Sequence, residues 1–160
     1  MSVQQVSDPL PYDVASLVSV EFVKACQSSD IITSQLLELV ETRVPVKSWP
    51  CALAAFKRLG SHYFLVDGLL VVKRDITPVP VVPWSLCIEL VVSLHRELAH
   101  IGRDKMLHLL RQHVFHPNLY MVARDVCATC PECQLMKVAR IVHMPPTLKI
   151  VTEYPFELVA

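Results

Sequence analysis

Apolar residues between Tyr12 and about Leu59 recur at intervals of three and four. Leu17, Val20 and Val23 form one set, and Ile32, Leu36, Leu39 and Val40 another, the spacing of one helix face. Asp13 and Asp30 stand where N-caps belong, and Pro45 and Pro50 interrupt the pattern. Ala52 to Leu59 fits one more short helix. The pattern then shortens: Tyr63-Phe64-Leu65-Val66 and Leu69-Leu70-Val71-Val72 flank Asp67-Gly68, a turn pair that tolerates positive φ at both positions and so predicts a two-residue hairpin. Val79 to Val82, bracketed by Pro78, Pro80 and Pro83, fits an edge strand only, because proline has no N–H to give to a ladder.

Helical spacing returns after Ser85, which is placed as an N-cap, with Ile88, Leu90, Val91, Val92 and Leu94 leading to His95. Gly102 breaks that helix. A second helix is predicted from about Arg103 to His113, carrying Met106, Leu107, Leu109 and Leu110, and Pro117 closes it. A third, short helix runs from about Leu119 to Val126. From Pro145-Pro146 onward the chain reads as extended. The expected class is mainly α with a small β-hairpin extension.

The 160 residues are 52% apolar, yet no stretch approaches the about 18 uninterrupted apolar residues of a membrane span. The greasiest run, Val79 to Leu94, is broken by Pro80, Pro83 and Glu89, and Met1 to Pro11 lacks the basic start and apolar block of a signal peptide. The expectation is an intracellular soluble protein without a membrane partner. Charge balances to zero overall but not locally. From Leu86 to Ile150, eight Lys/Arg stand against five Asp/Glu, whereas residues 1–85 carry seven against eight. This mild basic excess permits phosphate contacts without demanding them.

Cysteine usage points to a metal. Three of the six cysteines, Cys127, Cys130 and Cys133, fall within seven residues, and Cys26, Cys51 and Cys87 are scattered singly. In a chain without a secretory signal, clustered thiols favour metal binding over disulfides. Zinc takes four N or S ligands in a tetrahedron, and His95-x4-His100 followed by Cys130-x2-Cys133 offers two pairs separated by 29 residues. That span accommodates a helix, a turn and a second short helix, which fold back to bring the pairs together. Spacing alone leaves two rivals: Cys127-x2-Cys130 matches the cysteine pair, and His108-x4-His113 repeats the histidine pair. A hydrolytic zinc site would also need an open coordination position and a general base, for which Glu97 is the nearby candidate.

The segments Leu94-His95-Arg96-Glu97-Leu98-Ala99-His100-Ile101-Gly102-Arg103-Asp104-Lys105, Val114-Phe115-His116-Pro117 and Cys130-Pro131-Glu132-Cys133-Gln134-Leu135-Met136-Lys137 together resemble the HHCC zinc-binding domain of retroviral and retrotransposon integrases. The style is nearest to the Ty3/Gypsy and foamy-virus groups. The resemblance implies that His95, His100, Cys130 and Cys133 hold one structural zinc, with Cys127 a packed thiol near a helix end. It also implies a three-helix zinc-stabilised domain with Leu94, Met106, Leu107, Leu110, Val122 and Val126 at its core. His116 departs from the pattern, since the family has Trp before this Pro; either a buried contact is lost or His116 sits at the rim.

More loosely, Phe64 to Leu70 with Val82-Pro83 is similar to the β extension that precedes the zinc domain in longer integrases. Gln27-Ser28-Ser29-Asp30 is similar to a spacer segment of such polyproteins. Tyr154 to Ala160 is similar to the approach to a catalytic core, whose first carboxylate would come past Ala160. The implied organisation is a helical spacer (1–60), a β extension (61–84), the HHCC domain (85–144) and a linker toward an absent catalytic core (145–160). The resemblance further implies a non-catalytic part of an integrase in the nucleus, oligomeric in the full protein. Its partners would be the catalytic core, other integrase protomers and DNA. Arg103, Lys105, Arg111, Arg124, Lys137 and Arg140 are the phosphate-contact candidates, each otherwise an ordinary solvated charge. The other reading is a domesticated retroelement-derived zinc module that binds protein, which the apolar content and zero net charge favour.

Overall fold

A computed structural model describes Val14, residues 17–74 and residues 77–138. The expected cap at Asp13 and the tail from residue 139 lie outside the described residues. Two helices open the described chain, α1 (Val20–Ser29) and α2 (Ile31–Glu41). Asp30 starts α2 as expected: its Oδ2 accepts from the Thr33 N–H at 2.9 Å and from the Thr33 hydroxyl at 3.0 Å, satisfying an amide the first turn leaves unpaired. Between Val44 and His62 the prolines divide the chain into three 3-10 turns and one short helix, α3 (Ala54–Lys57).

The hairpin forms in the expected register. β1 (Tyr63–Val66) and β2 (Leu69–Lys73) pair antiparallel with Val66 opposite Leu69, and Asp67 and Gly68 both take positive φ, 50° and 78°. β3 (Pro78–Pro80) adds to β2 as an edge strand, in the order β1-β2-β3. Segment 114–116 then closes the far side of β3. The Phe115 N–H donates to the Pro80 carbonyl at 2.8 Å, and the Val82 N–H donates to the Phe115 carbonyl at 2.9 Å.

Four helices complete the fold: α4 (Trp84–Glu97), α5 (Arg103–His113), α6 (Leu119–Thr129) and α7 (Pro131–Val138). The N-cap of α4 is Pro83, not Ser85, and it makes no side-chain cap bond. Trp84 and Ser85 are already helical, with Pro83 in extended backbone just before them. The predicted core residues Leu94, Met106, Leu107, Leu110 and Val122 are buried, whereas Val126 is only partly buried against them.

Strand β2 divides the interior in two. Leu69 and Val71 face a cluster with Val23, Val82, Leu90, Leu94, Met106 and Leu110, and Leu70 and Val72 face a second with Leu36, Trp49, Leu53, Phe56 and Tyr63. The period of two sends alternate side chains to opposite faces, and helices cover both, so all four are buried. Gln27 of α1 joins the two layers. Fully buried, its Oε1 accepts from the Leu70 N–H at 2.9 Å, while its Nε2 donates to the carbonyls of Leu70 at 2.9 Å and Val81 at 2.6 Å. The amide thus supplies the partner that the ladder lacks where β3 ends.

Candidate metal centre

The site is assembled at two chain reversals. Helix α4 ends at Glu97, and Ala99 and His100 then adopt φ of 50° and 61°, a conformation disfavoured for residues with a Cβ. This reversal folds the His100 ring against His95, with centroids 4.8 Å apart and planes at 90°. The second reversal is the α6–α7 junction. Cys130 is the C-cap of α6, Pro131 opens α7, and Cys133 lies in the first turn of α7. Proline at the first helical position has no amide to waste, and the turn brings both thiols to the same end of α7.

His95 Nε2 and His100 Nδ1 are 3.1 Å apart, Cys130 Sγ is 3.2 Å from His100 Nδ1, and Cys133 Sγ is 3.3 Å from His95 Nε2. The ligand atoms of the four residues all lie within 4.8 Å of one another. A tetrahedron with zinc–nitrogen bonds of about 2.0–2.1 Å and zinc–sulfur bonds of about 2.3 Å has edges of roughly 3.3–3.8 Å, so the donors fit zinc with only small adjustment. His95 is buried, and the other three are half-buried. The arrangement is a site for one zinc ion, held by His95 Nε2, His100 Nδ1, Cys130 Sγ and Cys133 Sγ. When bound, the ion supplies a cross-link between the end of α4 and the α6–α7 junction.

The outer contacts select these atoms. His95 Nδ1 lies 3.2 Å from the Ile101 carbonyl; donation there leaves Nε2 as the ligating nitrogen. His100 Nε2 faces Glu132 Oε2 at 3.3 Å, which directs Nδ1 to the metal. Cys127 Sγ lies 3.9 Å from both His95 Nδ1 and the Ile101 carbonyl. It therefore sits on the far edge of the ring and outside the tetrad, which decides between the two overlapping cysteine pairs. His108 is exposed on α5, beside Gln112, and His108 and His113 both lie outside the cluster. Cys87 is a packed thiol, pushed up to about 12 by burial.

Two features escaped sequence reasoning. The carboxylate that reaches the site is Glu132, not Glu97, because Glu132 occupies the first turn of α7. The helix itself was signalled by Pro131-Glu132, a proline and an acidic residue in the order that opens helices. The phosphate-contact candidates are dispersed. Arg103 is tied to Asp104 at 2.9 Å and to the Tyr120 hydroxyl at 3.1 Å, and Arg124 is tied to Asp125 at 2.8 Å. Lys105 and Arg111 are exposed on α5. The side chain of Lys137 and the whole of Arg140 lie outside the described residues.

His116 does not sit at the rim. It is buried, edge-on to Phe56 at 5.8 Å and tilted against Trp84 at 5.4 Å, and thus fills an aromatic position. Its Nδ1 accepts from the Asn118 N–H at 3.1 Å. Burial pulls its pKa down to about 4, with Asp30 acting weakly in the opposite sense. The unfolded chain then binds a proton near pH 6.5 that the folded chain refuses, so stability falls as pH drops from about 6.5 to about 4. At the lower end the loss is about 3 kcal/mol. His116→Phe should remove that part of the acid sensitivity. Urea titrations at neutral pH and near pH 4.5 check this, and parallel losses in variant and wild type would refute it.

Among the described residues, no helix is long and apolar enough to cross a membrane. Searches of curated proteins and of solved structures returned no match to this chain. Residues 82–139 match the family model described as integrase zinc binding domain. That span contains all four ligands, so residues 82–139 are similar to the integrase zinc-binding family in both sequence and the cluster that would hold one zinc ion.

Proposed function

We propose that this chain is the zinc-binding N-terminal region of a retroelement integrase, in the style of the Ty3/Gypsy and foamy-virus groups. In that role it supports DNA integration through multimerisation and contact with element DNA. The observation that carries the reading is the four-ligand cluster inside the segment matching the integrase zinc-binding family. Residues 1–60 then act as a helical spacer, 61–84 as the β extension, and 145–160 as a linker toward a catalytic core. The partners are that core, further integrase protomers and DNA, and the place of action is the nucleus.

Lys137 and Arg140, just past the zinc knuckle, are the preferred DNA contacts, since a linker toward a catalytic core runs close to bound DNA. Reversing both charges in the full integrase should weaken duplex binding roughly tenfold at low salt, because each lost phosphate contact also lowers the salt dependence. Unchanged affinity in a gel-shift titration would refute that assignment.

A second reading, a domesticated module that binds protein, is favoured by one observation. Leu135 and Met136 of α7 are 77% and 80% exposed beside the zinc site, an apolar pair without cover among the described residues. A duplex gel shift on the zinc-loaded chain separates the two: retained DNA binding supports the integrase role, and its absence supports the protein module.

A further inference from the structure

A second concave site lies at the opposite end of α6 from the zinc. Helix α6 runs from Leu119, which lines this cleft, to Thr129, next to the ligand Cys130. At 1.5 Å per residue the two sites are about 16 Å apart. The cleft holds about 880 Å³ and is lined by Arg58, His62, Lys73, Arg74 and Arg111, with no carboxylate among the described lining residues. In a chain of zero net charge, four permanent cations converging on one volume are not the product of composition. None of the four forms an ion pair among the described residues.

The cations come from separate elements. Arg58 follows α3, Lys73 ends β2, Arg74 comes next, and Arg111 is in the last turn of α5. They meet only because segment 114–116 hydrogen-bonds to the edge of β3, joining the sheet to the zinc-domain helices. Arg74 is held over the Phe115 ring, 5.8 Å from its centroid, a cation–π contact that holds the guanidinium at the cleft wall. The start of α6 faces the same space. Asn118 makes no side-chain cap bond there, and the first turn carries no acidic residue, so the positive end of an eleven-residue helix adds to the field.

We infer that this cleft binds the phosphates of a single-stranded nucleic acid. The charge set specifies a polyanion. The shape favours the strand form: the cations line a half-open concavity of the size that holds a small ligand, whose wall a rigid, convex duplex cannot follow closely. A flexible strand can, as it does in grooves that track the backbone with basic side chains. The inference rests on the nucleic-acid reading above for its ligand class, but Arg58, Lys73 and Arg74 are residues that reading does not use.

The test is fluorescence anisotropy on the zinc-loaded full chain, with a short labelled oligothymidylate and a duplex of equal length. Four phosphate contacts predict a log–log salt slope of about −3 on the single strand, at roughly −0.7 per contact. Arg58→Glu with Lys73→Glu should weaken single-strand binding about tenfold or more and reduce that slope by about half. Arg58→Gln with Lys73→Gln, less disturbing to the fold, should do the same in smaller measure, with zinc content and circular dichroism unchanged. Single-strand affinity that survives both pairs of changes overturns the inference. So does an equal loss on strand and duplex, which would mean a general surface field. Charge reversal of Lys137 and Arg140 in the same titration keeps the two proposals apart: duplex binding lost there while the cleft variants bind normally refutes the cleft alone. Duplex binding retained in the Lys137 and Arg140 variant, with single-strand binding lost in the cleft variants, refutes the knuckle contacts alone.

Discussion

Cys130→Ser and Cys133→Ser are each expected to release the zinc and to unfold the α4–α7 region, whereas Cys127→Ser should keep both metal and fold. The physical reason is the size of the unit. A helical segment of some fifty residues buries too little surface to hold itself, and structural zinc contributes apparent free energies of about 10–16 kcal/mol in finger peptides at neutral pH. The segments that carry two of the ligands gain most from the metal: Ala99 and His100 hold an unfavourable positive φ, and α7 leaves Leu135 and Met136 exposed. Native mass spectrometry with hydrogen exchange checks the outcome. The serine variants of Cys130 and Cys133 should lose one zinc and the amide protection of α4, α6 and α7. Zinc retained in Cys130→Ser at wild-type protection would show that another ligand set is in use. Chelation of the wild type should reproduce the variants.

Gln27→Leu is expected to be the most costly single change outside the metal site. The substitution nearly preserves volume, so packing is little disturbed, but three buried bonds to Leu70 and Val81 disappear. Each deserted backbone group in a dry interior costs about 1–3 kcal/mol. Even with partial relaxation the loss should be about 3–5 kcal/mol, a large part of a small domain's stability. Urea denaturation followed by circular dichroism measures it, with zinc content unchanged at low denaturant. Gln27→Glu should fare no better, because a carboxylate keeps the acceptor for the Leu70 N–H, loses the donor to both carbonyls and brings an unpaired charge inside. The Leu70 carbonyl keeps the Val81 N–H at 3.0 Å, so the deserted groups are the Leu70 N–H and the Val81 carbonyl, and a Gln27→Leu midpoint equal to wild type would show that these two find other partners.

How legible these features were depended on the range over which each is determined. The hairpin was readable because Asp67-Gly68 is a local choice of backbone angles, and the cap at Asp30 because its partner is three residues away. A zinc site was readable because the metal takes N and S ligands in closely spaced pairs, but spacing left rival pairs open, and the choice of His95, His100, Cys130 and Cys133 rested on the family resemblance until the structure grouped them. Ser85 misled, since the helix starts at Trp84, after the extended Pro83, and Ser85 is then already inside the first turn. His116 was ambiguous because a histidine suits both surface and interior; only the packing of Phe56 and Trp84 around it settled the matter.

By itself the sequence determined the mainly helical class with its hairpin and a histidine pair and cysteine cluster suited to zinc, because periodicity, turn chemistry and ligand spacing are written within short stretches of chain. Tertiary structure alone decided that Cys127 stands behind His95 and not beside the metal, and that Gln27 completes a ladder forty-three residues away. It also decided that Arg58, Lys73, Arg74 and Arg111 share one cleft. Those outcomes depend on which faces of distant elements meet, and no local pattern encodes the meeting of two segments that are joined only through the core between them.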